Sequence, residues 1–156
     1  MKIRLADIRD ADAICLLNDE VQAIHAREFP RIFKPPSDET FPPSEISDLI
    51  NNEKSVIFVA ETNELIVGYL FAEITNYPEI SIRYSIDLIS IQHISVKESY
   101  RKQGVGKLLV DRTLKYAKEK GISIVMLDVW SFNKGAVEFF KKQGFSVFNE
   151  RMWMNI

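Results

Sequence analysis

Residues 90–107, SIQHISVKESYRKQGVGK, constrain this chain more than any other stretch. The first seven are β-branched and apolar enough to form a buried strand. Residues 101–106 then supply two glycines and three long polar side chains. A helical pattern follows, with Val105, Leu109, Thr113 and Tyr116 on one stripe and Leu108, Val110, Leu114 and Ala117 beside it. Strand, glycine-rich turn and helix together aim bare backbone N–H groups at a phosphate. The helix N-terminus adds partial positive charge, and Gly104 and Gly106 allow close backbone approach. Arg101, Lys102 and Lys107 bring full charges to the same place. Two familiar phosphate loops do not fit. A P-loop would need glycine at 101 and Ser or Thr at 108, where Arg and Leu stand, and a dinucleotide fingerprint would need glycine at 109, which is Leu.

The remainder of the chain organises around that unit. At 156 residues it is expected to form a single domain, 1–156, burying about two-thirds of its unfolded surface. Residues 2–8 read as a first strand, and Asp10 as the cap of a helix whose face is Ile14, Leu17, Val21 and Ile24. Five of the six prolines fall between Pro30 and Pro43, so that segment is a loop. A short helix over 44–52 follows, then a hairpin of strands 56–61 and 66–75 about a turn at 62–64. A break at 76–79 leads into 80–96, too long for one strand and interrupted near 83–85. After the long helix, closed by Gly121, residues 122–129 are so nearly continuously apolar that a strand covered on both faces is expected. A helix from Asn133 to Gly144 and two paired strands, 145–148 and 152–156, complete the reading. The fold class is α/β (α+β), a mixed, mostly antiparallel sheet with helices on both faces.

Composition narrows the function. Twenty Lys and Arg against 22 Asp and Glu give a net charge of −2, which argues against a general nucleic-acid binder. No apolar run approaches a membrane span of about 20 residues. The lone Cys15 has no internal partner, so a reducing, cytoplasmic setting is the default. No metal-ligand spacing stands out, and the positive charge is local, as suits a small polyanion.

The arrangement Arg-x-x-Gly-x-Gly at 101–106, directly after Ile-Ser-Val, resembles the coenzyme A pyrophosphate loop of the GCN5-related N-acetyltransferases. The segment Asn133-Lys-Gly-Ala136-Val-Glu-Phe139-Phe140-Lys-Lys-Gln-Gly144-Phe145 is similar to a second motif of that family, and the likeness covers roughly residues 54–148. The resemblance implies acetyl-CoA as cosubstrate, no metal, and two central strands that splay to admit the pantetheine arm. Coenzyme A would then meet Ile94, Ser95 and Val96 on the strand. It would also meet Arg101, Lys102, Gln103, Gly104, Val105, Gly106 and Lys107 at the loop and helix start, and Asn133, Ala136 and Phe139 beyond. Asn133 also suits an N-cap, Phe139 and Phe140 the core, and the two glycines a plain helix-starting turn.

The chain departs from the family pattern twice. The Tyr that often protonates the leaving thiolate falls at Phe140. The strand position that often carries a Glu base is Gln92, with His93 beside it. Side chains alternate along a strand, so Gln92 and His93 can share a face only across a bulge. Both stand as catalytic candidates, with no clear general acid. The acceptor mouth is expected among His25, Phe33 and Tyr84. The implied activity is transfer of acetyl to a primary amine of a small or amino-acid-like acceptor. Acetylation of a protein N-terminus or lysine, or a non-catalytic acyl-CoA sensor, are the alternatives. A homodimer through the C-terminal strands is compatible with the pattern.

Overall fold

The structure, a computed structural model, describes residues 1–156. Five strands form one sheet in the order β1 (Lys2–Leu5), β2 (Ser55–Thr62), β3 (Leu65–Tyr77), β4 (Ile86–Val96) and β5 (Ile124–Leu127). The first three pairings are antiparallel and β4–β5 is parallel. The helices are α1 (Ala11–Glu28), α2 (Pro43–Asn51), α3 (Val105–Glu119) and α4 (Lys134–Lys142).

Alternation along the central strands builds two cores. Ile57, Val59, Tyr69 and Phe71 meet Ile14 and Leu17 of α1 and Ile46 of α2. On the opposite face Val56, Phe58, Leu70, Ala72, Ile89 and Ile91 meet Val105, Leu109 and Val110 of α3 and Phe140 of α4. Burial on both faces explains why β2 and β3 read as near-continuous apolar runs. The β2–β3 hairpin closes through Asn63 and Glu64, both at positive φ (49° and 62°), the backbone that a two-residue hairpin turn requires.

Several expectations are corrected. The first strand ends at Leu5, because Asp7 starts a turn of 3₁₀ helix over Ile8–Asp10 and accepts from the Arg9 N–H at 2.9 Å. Asp10 does not cap α1. Its carboxylate accepts from both terminal nitrogens (Nη1 and Nη2) of Arg4, at 2.6 and 2.9 Å, and from the Asp7 N–H at 2.8 Å. Leu108 lies on the exposed side of α3, not on its packed stripe. The 122–129 run yields only the four residues of β5, none fully buried, with Ile124 exposed. No strand forms over 145–148 or 152–156; those residues carry no regular structure.

Candidate functional site

The β4–β5 ladder runs from Leu88–Ile124 to Ile91–Leu127 and stops. At the next residue β4 bulges: Phe71 pairs with His93 and Ala72 with Ile91, leaving Gln92 as the extra residue. From His93 to Val96, β4 pairs with β3 but has no partner on the β5 side. A slot edged by backbone without a strand partner opens there, which an extended chain can enter as an added strand would.

The bulge settles the facing of Gln92 and His93. Gln92 Nε2 donates to Ser90 Oγ at 3.1 Å, on the side opposite the Ile89 and Ile91 core. The His93 ring packs between Phe41 (4.9 Å) and Phe71 (5.7 Å) on that same α1–α2 side. So the two candidates do share a face. Burial pushes the His93 imidazole down to about 4, helped by the nearby His25, and its Nδ1 is buried without a hydrogen-bond partner. Neutral His93 is suited to a hydrogen bond and poorly suited to holding a proton. Ser95 also points to the α1 face, where its buried hydroxyl donates to the Leu17 carbonyl at 2.7 Å. Ile94 and Val96 face α3.

At the α3 side, Gly104 sits at φ +84° as the N-terminal flank of the helix, with no side-chain cap. The first helical bond runs from Leu108 N–H to Gly104 O at 3.0 Å, so the amides of Val105, Gly106 and Lys107 precede any helical acceptor. A Cβ on Gly104 would meet nothing within 4 Å, whereas a Cβ on Gly106 would come 3.1 Å from the Phe139 ring. The donor set fits a diphosphate.

The cations of the loop divide. Arg101 is committed within the protein, its Nε donating to Val96 O at 2.9 Å and its other arm pairing with Glu20. Lys107 pairs with Asp111 at 2.6 Å on the exposed helix face. Gln103 donates to Ser99 O. Lys102, at φ +60°, has no protein partner. Asn133 caps α4, its Oδ1 accepting from Ala136 N–H at 3.0 Å, which leaves its amide NH₂ free to donate outward. Phe139 is packed on Gly106 and on Phe140, 5.0 Å between ring centroids.

Of the acceptor-side candidates, His25 and Phe33 come together, stacked at 5.0 Å and 27°, while Tyr84 stands apart, 84% exposed. The structure adds residues that sequence reasoning missed. Trp130 and Phe132 lie 6.2 and 5.9 Å from His25, Phe29 packs on both, and Trp153 packs on Phe29 at 5.8 Å. The available signal was Trp130-Ser-Phe132, a pair of aromatics beginning three residues past the end of β5. This aromatic wall lowers the His25 pKa by desolvation. A separate cavity of about 410 Å³ is lined by Asp12, Cys15, Asp19 and Asp38 and includes no residue of β4 or of the 101–106 loop. Burial and the neighbouring carboxylates push the Cys15 thiol up, against any nucleophilic role. No group of three or more His, Cys, Asp or Glu side chains is arranged to hold a metal ion, and no helix is long and apolar enough to cross a membrane.

A sheet split at the bulge of its fourth strand, beside an uncapped helix N-terminus, has the shape and the donors that an extended ligand ending in a polyanion would need. Residues 18–145 match the model of the acetyltransferase (GNAT) family, and the chain belongs to that family. An uncharacterized N-acetyltransferase of Methanocaldococcus jannaschii is 34% identical over 62% of this chain and 42% of its own length. Human N-acetyltransferase 8 is 28% identical over 62% of this chain and 40% of its own. The chain thus spans about two-fifths of those relatives. A tetramutant of the BH1408 protein from Bacillus halodurans superposes over 100% of both chains with a TM-score of 0.95 at 25% identity. The aminoglycoside N-acetyltransferase AAC(6')-Iy, solved in complex with CoA, shares the fold at a TM-score of 0.75 and 15% identity, over 99% of this chain and 98% of its own.

Proposed function

We propose that residues 1–156 form one acetyltransferase domain that transfers acetyl from acetyl-CoA to a primary amine of a small or amino-acid-like acceptor. The observation that carries this reading is the end of the β4–β5 ladder at Ile91–Leu127, with the open amides of Val105, Gly106 and Lys107 beside the slot. The diphosphate lies on those amides, near Lys102, and the arm runs along the free edge of 93–96. The Val96 carbonyl already accepts from Arg101, and a carbonyl has a second lone pair for the arm. Acetyl-CoA supplies the activated acyl group as a thioester.

The side chains of Ile94 and Val96 face α3 and those of His93 and Ser95 face α1, so the two substrates enter from opposite sides of the sheet. The acceptor amine comes past His25, Phe33 and Trp130 to reach the bulge. An unpaired backbone N–H of the bulged segment is the donor for the thioester oxygen, where negative charge grows as nitrogen attacks. The carbon–nitrogen bond forms as the carbon–sulfur bond breaks, the sulfur leaves with the electron pair, and the ammonium proton departs through water. With Phe140 in place of a tyrosine, no side-chain acid is needed, since a thiol of pKa about 8.5 leaves unprotonated.

The 29–42 loop favours a small acceptor, because it lays Phe41 on His93 and Phe33 on His25, covering the groove that a peptide would occupy. One relative, L-ornithine N5-acetyltransferase NATA1 of Arabidopsis thaliana, is 31% identical over 56% of this chain. A second reading, acetylation of a protein N-terminus, is favoured by the N-alpha-acetyltransferase of Sulfurisphaera tokodaii, 28% identical over 92% of this chain and 79% of its own. Thiol release from acetyl-CoA across basic amino acids, polyamines, aminoglycosides and short peptides tests both. Turnover of a small amine with idle peptides supports the first; turnover of peptides alone supports the second. A protein that binds acetyl-CoA and releases no thiol with any of them is a sensor, and the catalytic reading is then wrong.

A further inference from the structure

Six rings stand together at the acceptor end of the slot and belong to neither core of the sheet. His25 and Phe29 come from the last turn of α1 and the residue after it, and Phe33 from the loop beyond. Trp130 and Phe132 follow β5, and Trp153 comes from the tail. Neighbouring centroids lie between 5.0 and 6.3 Å apart. None of the six is buried; Trp130 is 37% and Trp153 63% exposed. Separate stretches of chain thus converge on a surface wall of rings, and exposed apolar area gathered in one place marks a binding surface. The wall stands where the acceptor is proposed to pass. Trp130 comes three residues after Leu127, the last residue of β5 paired to β4, and His25 is close enough to His93 to lower its pKa.

The chemistry of the wall is one-sided. Burial alone lowers the His25 pKa, and no carboxylate acts on that ring. The acidic cavity of Asp12, Asp19 and Asp38 shares no lining residue with the wall. A second ammonium, as in a diamine or a basic amino acid, would shed water there and meet no counter-charge. Another ring would find faces and edges at the separations the wall already uses among its own members. We propose, resting on the acetyl-transfer reading above, that the acceptor is an arylalkylamine. Its one primary amine reaches the bulge on a short chain, and its ring packs against Trp130, Phe33 and His25. Acetyl passes from sulfur to that nitrogen, and free coenzyme A leaves. The distant ring supplies the binding energy that places the nitrogen. The wall also suits the chemistry, because a carboxylate would favour the ammonium, whereas apolar surroundings favour the neutral amine that attacks.

Both tryptophans of the chain lie in this wall, so intrinsic tryptophan emission reports it alone. With coenzyme A bound and no acetyl group to transfer, phenethylamine should change that emission saturably, and butylamine, putrescine and ornithine should not. With acetyl-CoA, thiol release should give phenethylamine a kcat/KM about threefold to tenfold above that of cyclohexylethylamine. Over butylamine the advantage should exceed about tenfold. Trp130→Leu and Phe33→Leu should each bring the first ratio toward one, mainly through KM. Acetylation of no amine overturns the acetyl-transfer reading and this proposal with it. Acetylation of small amines with a ring ratio near one, or with the diamine or ornithine preferred, overturns the proposal alone. So does unchanged emission at phenethylamine concentrations that saturate turnover. The unsubstituted protein decides all three outcomes even if the leucine variants misfold.

Discussion

The ring of Phe139 lies against the backbone of Gly106, so close that a methyl group at 106 would come within 3.1 Å of the ring edge. That contact fastens α4 to the first turn of α3, which carries the amides proposed to hold the diphosphate. Gly104, two residues earlier, has no such neighbour; it is required by its φ of +84° alone. The two glycines therefore fail differently. Gly106→Ala should cost about 1–3 kcal/mol by overpacking and be largely relieved by Phe139→Leu. Gly104→Ala should cost about 1–2 kcal/mol of left-handed strain and be indifferent to the residue at 139. Denaturant unfolding of both glycine variants with and without Phe139→Leu gives the coupling energies that check this.

Tyr69 donates its hydroxyl to Asn18 Oδ1 at 2.9 Å, with both residues buried between the sheet and α1. Burial pushes the phenol pKa up, so it remains a donor at every accessible pH. Tyr69→Phe leaves a buried amide oxygen without a partner and should cost about 1–3 kcal/mol. Guanidinium unfolding is the measurement. A cost below about 0.5 kcal/mol would mean that water replaces the bond.

His93 ties stability to pH. Its imidazole is held down to about 4 by burial, against about 6.5 in the unfolded chain. Protons therefore bind the unfolded state more readily between those values. The native protein keeps its full stability above pH 6.5 and loses it as pH falls toward 4, by about 3 kcal/mol in all. His25, lowered in the same sense, adds to the loss. His93→Phe should flatten most of this slope in unfolding free energy measured from pH 7.5 to 4. An unchanged slope would show that the imidazole is solvated in the native protein.

The split sheet was legible because strand, glycine turn and helix follow one another within residues 90–107 and each leaves a local mark. The C-terminal strands were not, because alternation shows only that a segment can pair, and nothing in residues 145–156 says with what. Residues 122–129 misled for the same reason: an apolar run shows that cover is needed, and not whether this copy of the chain supplies it. Asp10 was misassigned because helix-cap chemistry is local, whereas Arg4 reaches it through the tertiary fold. The bulge at Gln92 had no sequence signal at all, since neither glycine nor proline marks it. Yet it decides which face His93 takes.

Lys102 separates binding from folding. It stands at φ +60° with no protein partner, so Lys102→Gly removes a charge and relieves strain together. The relief is offset by the freedom glycine gains in the unfolded chain, and stability should move by less than about 0.5 kcal/mol. Affinity for coenzyme A should fall about three- to tenfold at low salt and converge with the parent as ionic strength rises. Titration calorimetry at two salt concentrations is decisive, and equal affinity at both would place the diphosphate elsewhere.

The pH dependence of turnover distinguishes a base at His93 from loss of the proton to water. An imidazole held near 4 is deprotonated throughout the working range, so it adds no inflection near 6.5. The rate constant kcat/KM for an amine should climb tenfold per pH unit, following the fraction of neutral amine, and level off near the amine's own pKa. His93→Gln should keep that shape and change its height by about tenfold or less, reflecting a lost hydrogen bond in place of a lost base. An inflection between pH 6 and 7 that vanishes in His93→Gln would instead mean that substrate binding restores the imidazole to its ordinary range and makes it the proton acceptor.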